Sequence, residues 1–209
     1  MLRSDAQENR DRVLEAAREL FAEHGLGVTM RDVARRAEVG PATLYRRFPT
    51  KRSLIDAAFA DELHACEQIV DDGCTDPDPW RGFCAVIERL NVLNSRNQGF
   101  VDAFMSASPE VAVFADHRAG LLRKLAELGA RAQAAGGLRA DYEIDDLLLV
   151  LMAGRGLAAA PADKREAAAR RFAALAIAAL SASETNAPLP RGARLAPHLV
   201  GRASRAVTR

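Results

Sequence analysis

Residues Val39–Lys51 read VGPATLYRRFPTK, and this stretch decides the fold. Pro41 suits the first turn of a helix, where its missing N–H has no intrahelical partner to lose. That helix must stop by Phe48, because Pro49 disfavours helical geometry in the residue before it. At about 100° per residue, Leu44 and Phe48 share one face. Ala42 and Arg46 point the opposite way, flanked by Thr43 and Tyr45, with Arg47 at the boundary. A helix this short, apolar on one side only, is held from behind and offers its other side outward.

The flanking segments complete the picture. Thr29 followed by Asp32 reads as a capping box that opens a short helix with Met30, Val33, Ala34 and Ala37 as its apolar stripe. Glu38–Gly40 breaks that pattern before Pro41. Two short helices joined by a three-residue turn, each apolar on one side, form a helix-turn-helix. Thr50 can cap a third segment from Lys51. Upstream, residues 9–24 place Val13, Ala17, Leu20, Phe21 and His24 at helical spacing, with Gly25 as the C-terminal cap.

Charge points the same way. Residues 29–52 hold seven basic side chains against two acidic ones, whereas residues 1–28 hold four arginines against six acids. The chain as a whole carries only +1, so the positive charge is local and sits on the helix pair. Small residues, a hydroxyl, a phenol and a guanidinium on the outer face equip it for a major groove, where Arg can bond guanine through two donors. Thr29, Tyr45 and Lys51 suit phosphate oxygens, Lys51 together with the first N–H groups of its helix. A plain solvated surface helix is the alternative, and the proline bracket, the helix pair and the local charge together argue against it.

The run TMRDVARRAEVGPATLYRRFPTKRSLIDAAF resembles the DNA-binding domain of the tetracycline-repressor (TetR) family of bacterial transcriptional regulators, over about Asn9 to Phe59. The family pattern is VSxGTLYxHFxxK; here Gly40 replaces the usual Ser, losing its capping hydroxyl, and Ala42 replaces the usual Gly. The resemblance implies base contacts from Pro41, Ala42, Thr43 and Arg46, and phosphate contacts from Thr29, Tyr45, Arg47 and Lys51. It also implies an all-α chain: a three-helix helix-turn-helix DNA-binding domain over residues 1–55, then a helical ligand-binding and dimerisation domain over 56–183. The implied activity is repression at a palindromic double-stranded DNA operator, by a homodimer, relieved by a small-molecule effector.

The rest of the chain reads as helices. One long helix is expected from Lys51 to about Asp71, then others at about 79–95, 98–107, 109–135, 143–159 and 163–182. Ile144, Leu147, Leu148, Leu151 and Met152 form one stripe, but Leu149 and Val150 make that helix apolar on its other side too, so both sides need cover. With Phe172, Leu175, Ala176 and Ala179 of the last helix they make a candidate dimer interface; two internal core helices are the alternative. Candidate lining of an effector pocket is Leu63, Trp80, Phe83, Ile87, Phe100, Phe104, Phe114, His117, Met152 and Arg155, although the aromatic residues could equally fill a core. His117 reads more simply as a satisfied core histidine, and Arg155 as part of an ion pair.

Several classes are disfavoured by what the 209 residues lack. The N-terminus has no apolar secretion signal and no stretch approaches a membrane span, which points to a cytoplasmic protein. Cys66, Cys74 and Cys84 have neither CxxC nor CxxH spacing, so no disulfide framework, metal site or cofactor is expected. A redox-gated regulator using those thiols is one alternative. A helical enzyme is another, although no nucleophile–base or paired-carboxylate constellation is visible. The segment 184–209, with three prolines, five arginines and one acid, reads as a disordered tail.

Overall fold

The computed structural model describes residues 2–105, 112–192 and 194–195. Ten α-helices are found among them: α1 (Leu2–His24), α2 (Met30–Arg36), α3 (Pro41–Arg47), α4 (Lys51–Ala58), α5 (Ala60–Thr75), α6 (Pro79–Arg96), α7 (Gln98–Met105), α8 (Ala112–Ala134), α9 (Ile144–Gly154) and α10 (Arg165–Leu180). Among the described residues there is no strand, only an isolated bridge between Leu138 and Ser181. The chain divides into two units, one of residues 1–63 and 97–114, the other of residues 64–96 and 115–209.

In the first unit α1 packs on α2, α4 and α7. Gly25 ends α1 at φ +68°, the left-handed conformation that glycine takes without a Cβ penalty. Phe21, Leu54, Ile55, Phe59 and Phe100 are fully buried and form the centre. Where one continuous helix was expected from Lys51 to Asp71, the chain breaks at Phe59 (φ −115°, ψ 14°). The cause is tertiary. Arg18 Nε takes the Ala58 carbonyl at 2.8 Å, an acceptor that a continuous helix would spend on its own backbone. The Phe59 ring lodges between Phe21 and Phe100, with centroids at 5.8 and 5.9 Å.

In the second unit α6 is the central helix and packs on α9 and α10. Its Phe83, Val86 and Ile87 are wholly buried, and Phe83 meets Trp80 at 6.0 Å and the edge of Tyr142 at 5.3 Å. The helix expected over 143–159 is α-helical only to Gly154 and continues as a 3₁₀ turn, Arg155–Ala159. The last helix begins with another 3₁₀ turn, Ala162–Lys164. The expected helix ends at 107 and 109 lie outside the described residues.

The tail expected to be disordered from Glu184 has fixed contacts as far as Leu195. Arg139, almost wholly buried, forks onto Asp141 and donates to the carbonyls of Ala179 and Ala187 at 3.2 and 2.7 Å. The Leu189 and Leu195 N–H groups donate to the carboxylates of Asp141 and Asp145. Residues 196–209 lie outside the described residues.

Candidate nucleic-acid interface

The helix pair is built as its local sequence dictates. The Thr29 hydroxyl accepts the Asp32 N–H at 3.2 Å while the Asp32 carboxylate accepts the Thr29 N–H at 3.1 Å, closing the capping box. Thr29 Oγ1 also donates to Asp32 at 2.6 Å, and Arg35 pairs with the same carboxylate at 2.6 Å. The Thr29 hydroxyl and N–H, then Arg35, hold the Asp32 carboxyl down at about 2. Arg36 pins α2 to α1 through Glu19 and Glu23 at 3.0 and 2.9 Å. So two of the seven cations in this segment serve the fold internally.

The turn between α2 and α3 carries Glu38 at φ +55°, a conformation disfavoured for any side chain with a Cβ. Gly40 is the N-cap of α3 and makes no side-chain cap, as expected from its missing hydroxyl, and Pro41 takes the first helical position. Leu44 and Phe48 are 1% and 5% exposed, whereas Tyr45 is 45% exposed. Pro41, Ala42, Thr43, Arg46 and Arg47 are all exposed too. Every candidate base contact on α3 therefore stands outward, on a helix anchored from behind by Leu44 and Phe48.

Lys51 differs in one respect from its expected role. Its ammonium donates to the Leu26 carbonyl, so it also ties α4 to the turn after α1. Thr50 caps α4 as expected, accepting the Ser53 N–H at 3.0 Å.

The matches to known proteins fall in two parts of the chain. The sequence model for bacterial regulatory proteins of the tetR family matches residues 13–58. That for the C-terminal domain of SbtR-like transcriptional regulators matches residues 78–182, half of the chain. The chain belongs to the TetR family. Among similar family members, the transcriptional regulator UidR of Escherichia coli K12 is 39% identical over 62 residues, 29% of this chain and 32% of UidR. The transcriptional repressor KstR of Mycobacterium tuberculosis is 34% identical over 118 residues, 55% of this chain and 52% of KstR. The chain thus spans about a third to a half of these curated relatives. The crystal structure of the TetR regulator SCO0520 from Streptomyces coelicolor matches at 30% identity and a TM-score of 0.51, covering 83% of this chain and 99% of that one.

The residues expected to line an effector pocket do not fall in one unit. Leu63, Phe100, Phe104 and Phe114 belong to the first, where Phe100, Phe104 and Phe114 pack ring on ring at 5.6 to 6.4 Å. Trp80, Phe83, Ile87, His117, Met152 and Arg155 belong to the second. Phe83 and Ile87 are core. His117 is not a core histidine: it is exposed, with Nδ1 2.8 Å from the Glu67 carboxylate. Met152 is exposed and Arg155 half-buried at the C-cap of α9.

Of the residues expected at a dimer interface, Leu149 and Leu175 are 45% and 58% exposed and Ala179 is exposed; Val150, Phe172 and Ala176 are half-buried. Cys66, Cys74 and Cys84 form no disulfide among the described residues. Burial pushes the Cys74 thiol up, and that of Cys84 to about 11, the opposite of what a reactive thiolate needs. Among the described residues no cluster of His, Cys, Asp and Glu could hold a metal ion, and no helix is long and apolar enough to cross a membrane.

Proposed function

We propose that the protein is a cytoplasmic, ligand-responsive transcriptional regulator, without enzymatic activity, that represses by binding a palindromic operator as a homodimer. One observation carries the reading: Leu44 and Phe48 are buried while Thr43, Tyr45, Arg46 and Arg47 of the same helix stand exposed. Arg46, with Pro41, Ala42 and Thr43, reads base edges in the major groove; Thr29, Tyr45, Arg47 and Lys51 hold phosphates. Exposed Leu149 and Leu175, in helices otherwise packed into the second unit, support a partner subunit over α9 and α10. Two such subunits present two reading heads, which half-sites one helical turn of ~34 Å or a multiple of it apart would fit. An effector relieves binding only by preferring one spacing of the heads over the other.

Mobility shifts on a duplex selected from a random pool, and on its scrambled counterpart, test this. Arg46→Ala should lose about tenfold or more on the selected duplex and much less on the scrambled one. Arg47→Ala should weaken both alike and flatten the salt dependence. Equal losses from Arg46→Ala on the two duplexes would rule out a base contact.

A further inference from the structure

The chain between Lys51 and Thr75 contains no proline and one glycine, Gly73, and the alanines that flank the break at Phe59 are the best of helix formers. Local sequence therefore favours a single rod, and little separates the structure from one. Before the break the Phe59 N–H donates to the Ile55 carbonyl at 3.1 Å, and after it the Leu63 N–H donates to that of Phe59 at 3.0 Å. The three bonds between, from the Ala60, Asp61 and Glu62 N–H groups to the Asp56, Ala57 and Ala58 carbonyls, are not made among the described residues. One residue carries the difference: Phe59, at φ −115° and ψ 14°, lies roughly 50–55° from helical values in each angle. What holds it there is Arg18 of α1, whose Nε occupies the Ala58 carbonyl at 2.8 Å. All of these residues belong to the first unit.

We infer that Arg18 is the latch of a two-state joint that sets the direction of α4. Bonded to Ala58, it keeps α4 and α5 apart. Released, it lets Phe59 turn helical, the three N–H groups find their acceptors, and α4 runs into α5 as one rod. Three backbone bonds gained then stand against one charge-assisted bond lost. The guanidinium is not stranded by letting go. It is half-buried, its Nη1 already reaches Glu15 at 3.3 Å, and the open groove beside it is lined by Asp11, Glu15 and Asp61. The Phe59 ring, wholly buried between Phe21 and Phe100, is the pivot. Because α1 packs on both α2 and α4, the latched form holds the helix pair on one support and is the form that binds DNA. Fusion turns α4 against the first turn of α5 and spoils the aim of the head; an effector that favours the fused form releases the operator. This deepens the regulator reading, on which its DNA arm rests, whereas the joint itself does not depend on it.

The test follows amide hydrogen exchange residue by residue, by NMR, in the full chain. In the wild type the Ala60, Asp61 and Glu62 amides should exchange fast beside protected Phe59 and Leu63. Arg18→Met, which removes the donor, should slow those amides by about tenfold or more; loss of an ordinary tertiary contact would instead speed exchange through α4 and α5. Arg18→Gln, too short to reach the carbonyl, should do the same and serves if the methionine variant does not fold. In fluorescence anisotropy Arg18→Met should bind a palindromic duplex, selected from a random pool, about tenfold more weakly than wild type. It should bind a single half-site within about threefold of wild type, since each head is intact and only its aim has changed. Unchanged or faster exchange at Ala60, Asp61 and Glu62 in the folded variants would overturn the joint. Equal losses on the palindrome and the half-site, or no loss on either, would overturn its coupling to the operator. If the wild type binds no duplex while the amides slow as expected, the regulator reading fails and the joint stands.

Discussion

Adjacent residues of α3 should respond to truncation in opposite ways. Leu44 is 1% exposed; removing its three outer carbons forfeits their transfer free energy and leaves a cavity, together about 2–4 kcal/mol. For a chain of this length that is a fall in melting temperature of roughly 6–12 °C. Tyr45, 45% exposed, fills no cavity, and alanine is the better helix former, so Tyr45→Ala should stay within about 0.5 kcal/mol of wild type. On DNA the order inverts. Tyr45→Ala removes a hydrogen bond to a charged phosphate, roughly tenfold or more in affinity per half-site, with selected and scrambled duplexes affected alike. Leu44→Ala, assayed well below its melting point, should bind nearly as wild type does. Urea melts followed by circular dichroism, beside fluorescence anisotropy on both duplexes, read the two effects separately. If Tyr45→Ala destabilised as much as Leu44→Ala, or left DNA affinity untouched, the assignment of inner and outer faces would be wrong.

Three other substitutions probe different parts of the same argument. Glu38→Gly should stabilise by about 0.5–1 kcal/mol in urea, since relief of a left-handed residue, about 1–2 kcal/mol, exceeds the added freedom of glycine in the unfolded chain, about 0.5–1 kcal/mol. Leu175→Glu places a charge on a side chain 58% exposed in the single chain; sedimentation should show monomers, and operator affinity should fall by orders of magnitude with no loss of helicity. Asp32 and Asp141 are held at about 2, below the ordinary 3.8, so the unfolded chain binds their protons first. Their contribution to stability is whole above pH ~4 and lost as pH falls towards 2; an acid titration of Asp32→Asn should show a shallower loss across that window.

What could be read from the sequence was local, and what could not was tertiary. The bounds of α3 follow from Pro41 and Pro49, which act on their immediate neighbours, and its two faces follow from helical period alone. The capping box at Thr29 and the cap at Thr50 each bond a residue three positions on. The break at Phe59 has no local cause: nothing near Ala58 announces that Arg18, 40 residues earlier, takes its carbonyl. The same holds for the tail, which composition marks as unable to fold. It is held by a guanidinium at Arg139, 48 residues before the carbonyl of Ala187. His117 reads as a core histidine from the sequence, yet it is exposed with Nδ1 2.8 Å from Glu67 on another helix. An aromatic-rich stretch likewise could not be divided between the two units, because periodicity reports which side of a helix is buried and not against what.

Charge shows the same limit and has a consequence for assembly. Seven cations in residues 29–52 look like one patch, but the fold divides them. Arg35 and Arg36 are ion-paired, Lys51 is bonded to Leu26, and Arg52 faces Asp56 at 4.0 Å. Arg31, Arg46 and Arg47 make no hydrogen bond or ion pair among the described residues, and two of the three lie on α3 itself. In the proposed complex the two cations assigned to phosphates, Arg47 and Lys51, would give a salt slope of about −2 for one subunit, a footprint associated with weak, indiscriminate binding; two subunits on one duplex would double it. Because α1 claims Arg36 through Glu19 and Glu23, the fold spends part of its charge on holding the reading helix still. Orientation is gained at the expense of affinity, and in the proposed dimer a second copy would offset the loss, which links the exposed apolar side chains of α9 and α10 and the exposed arginines of α3 in one proposal.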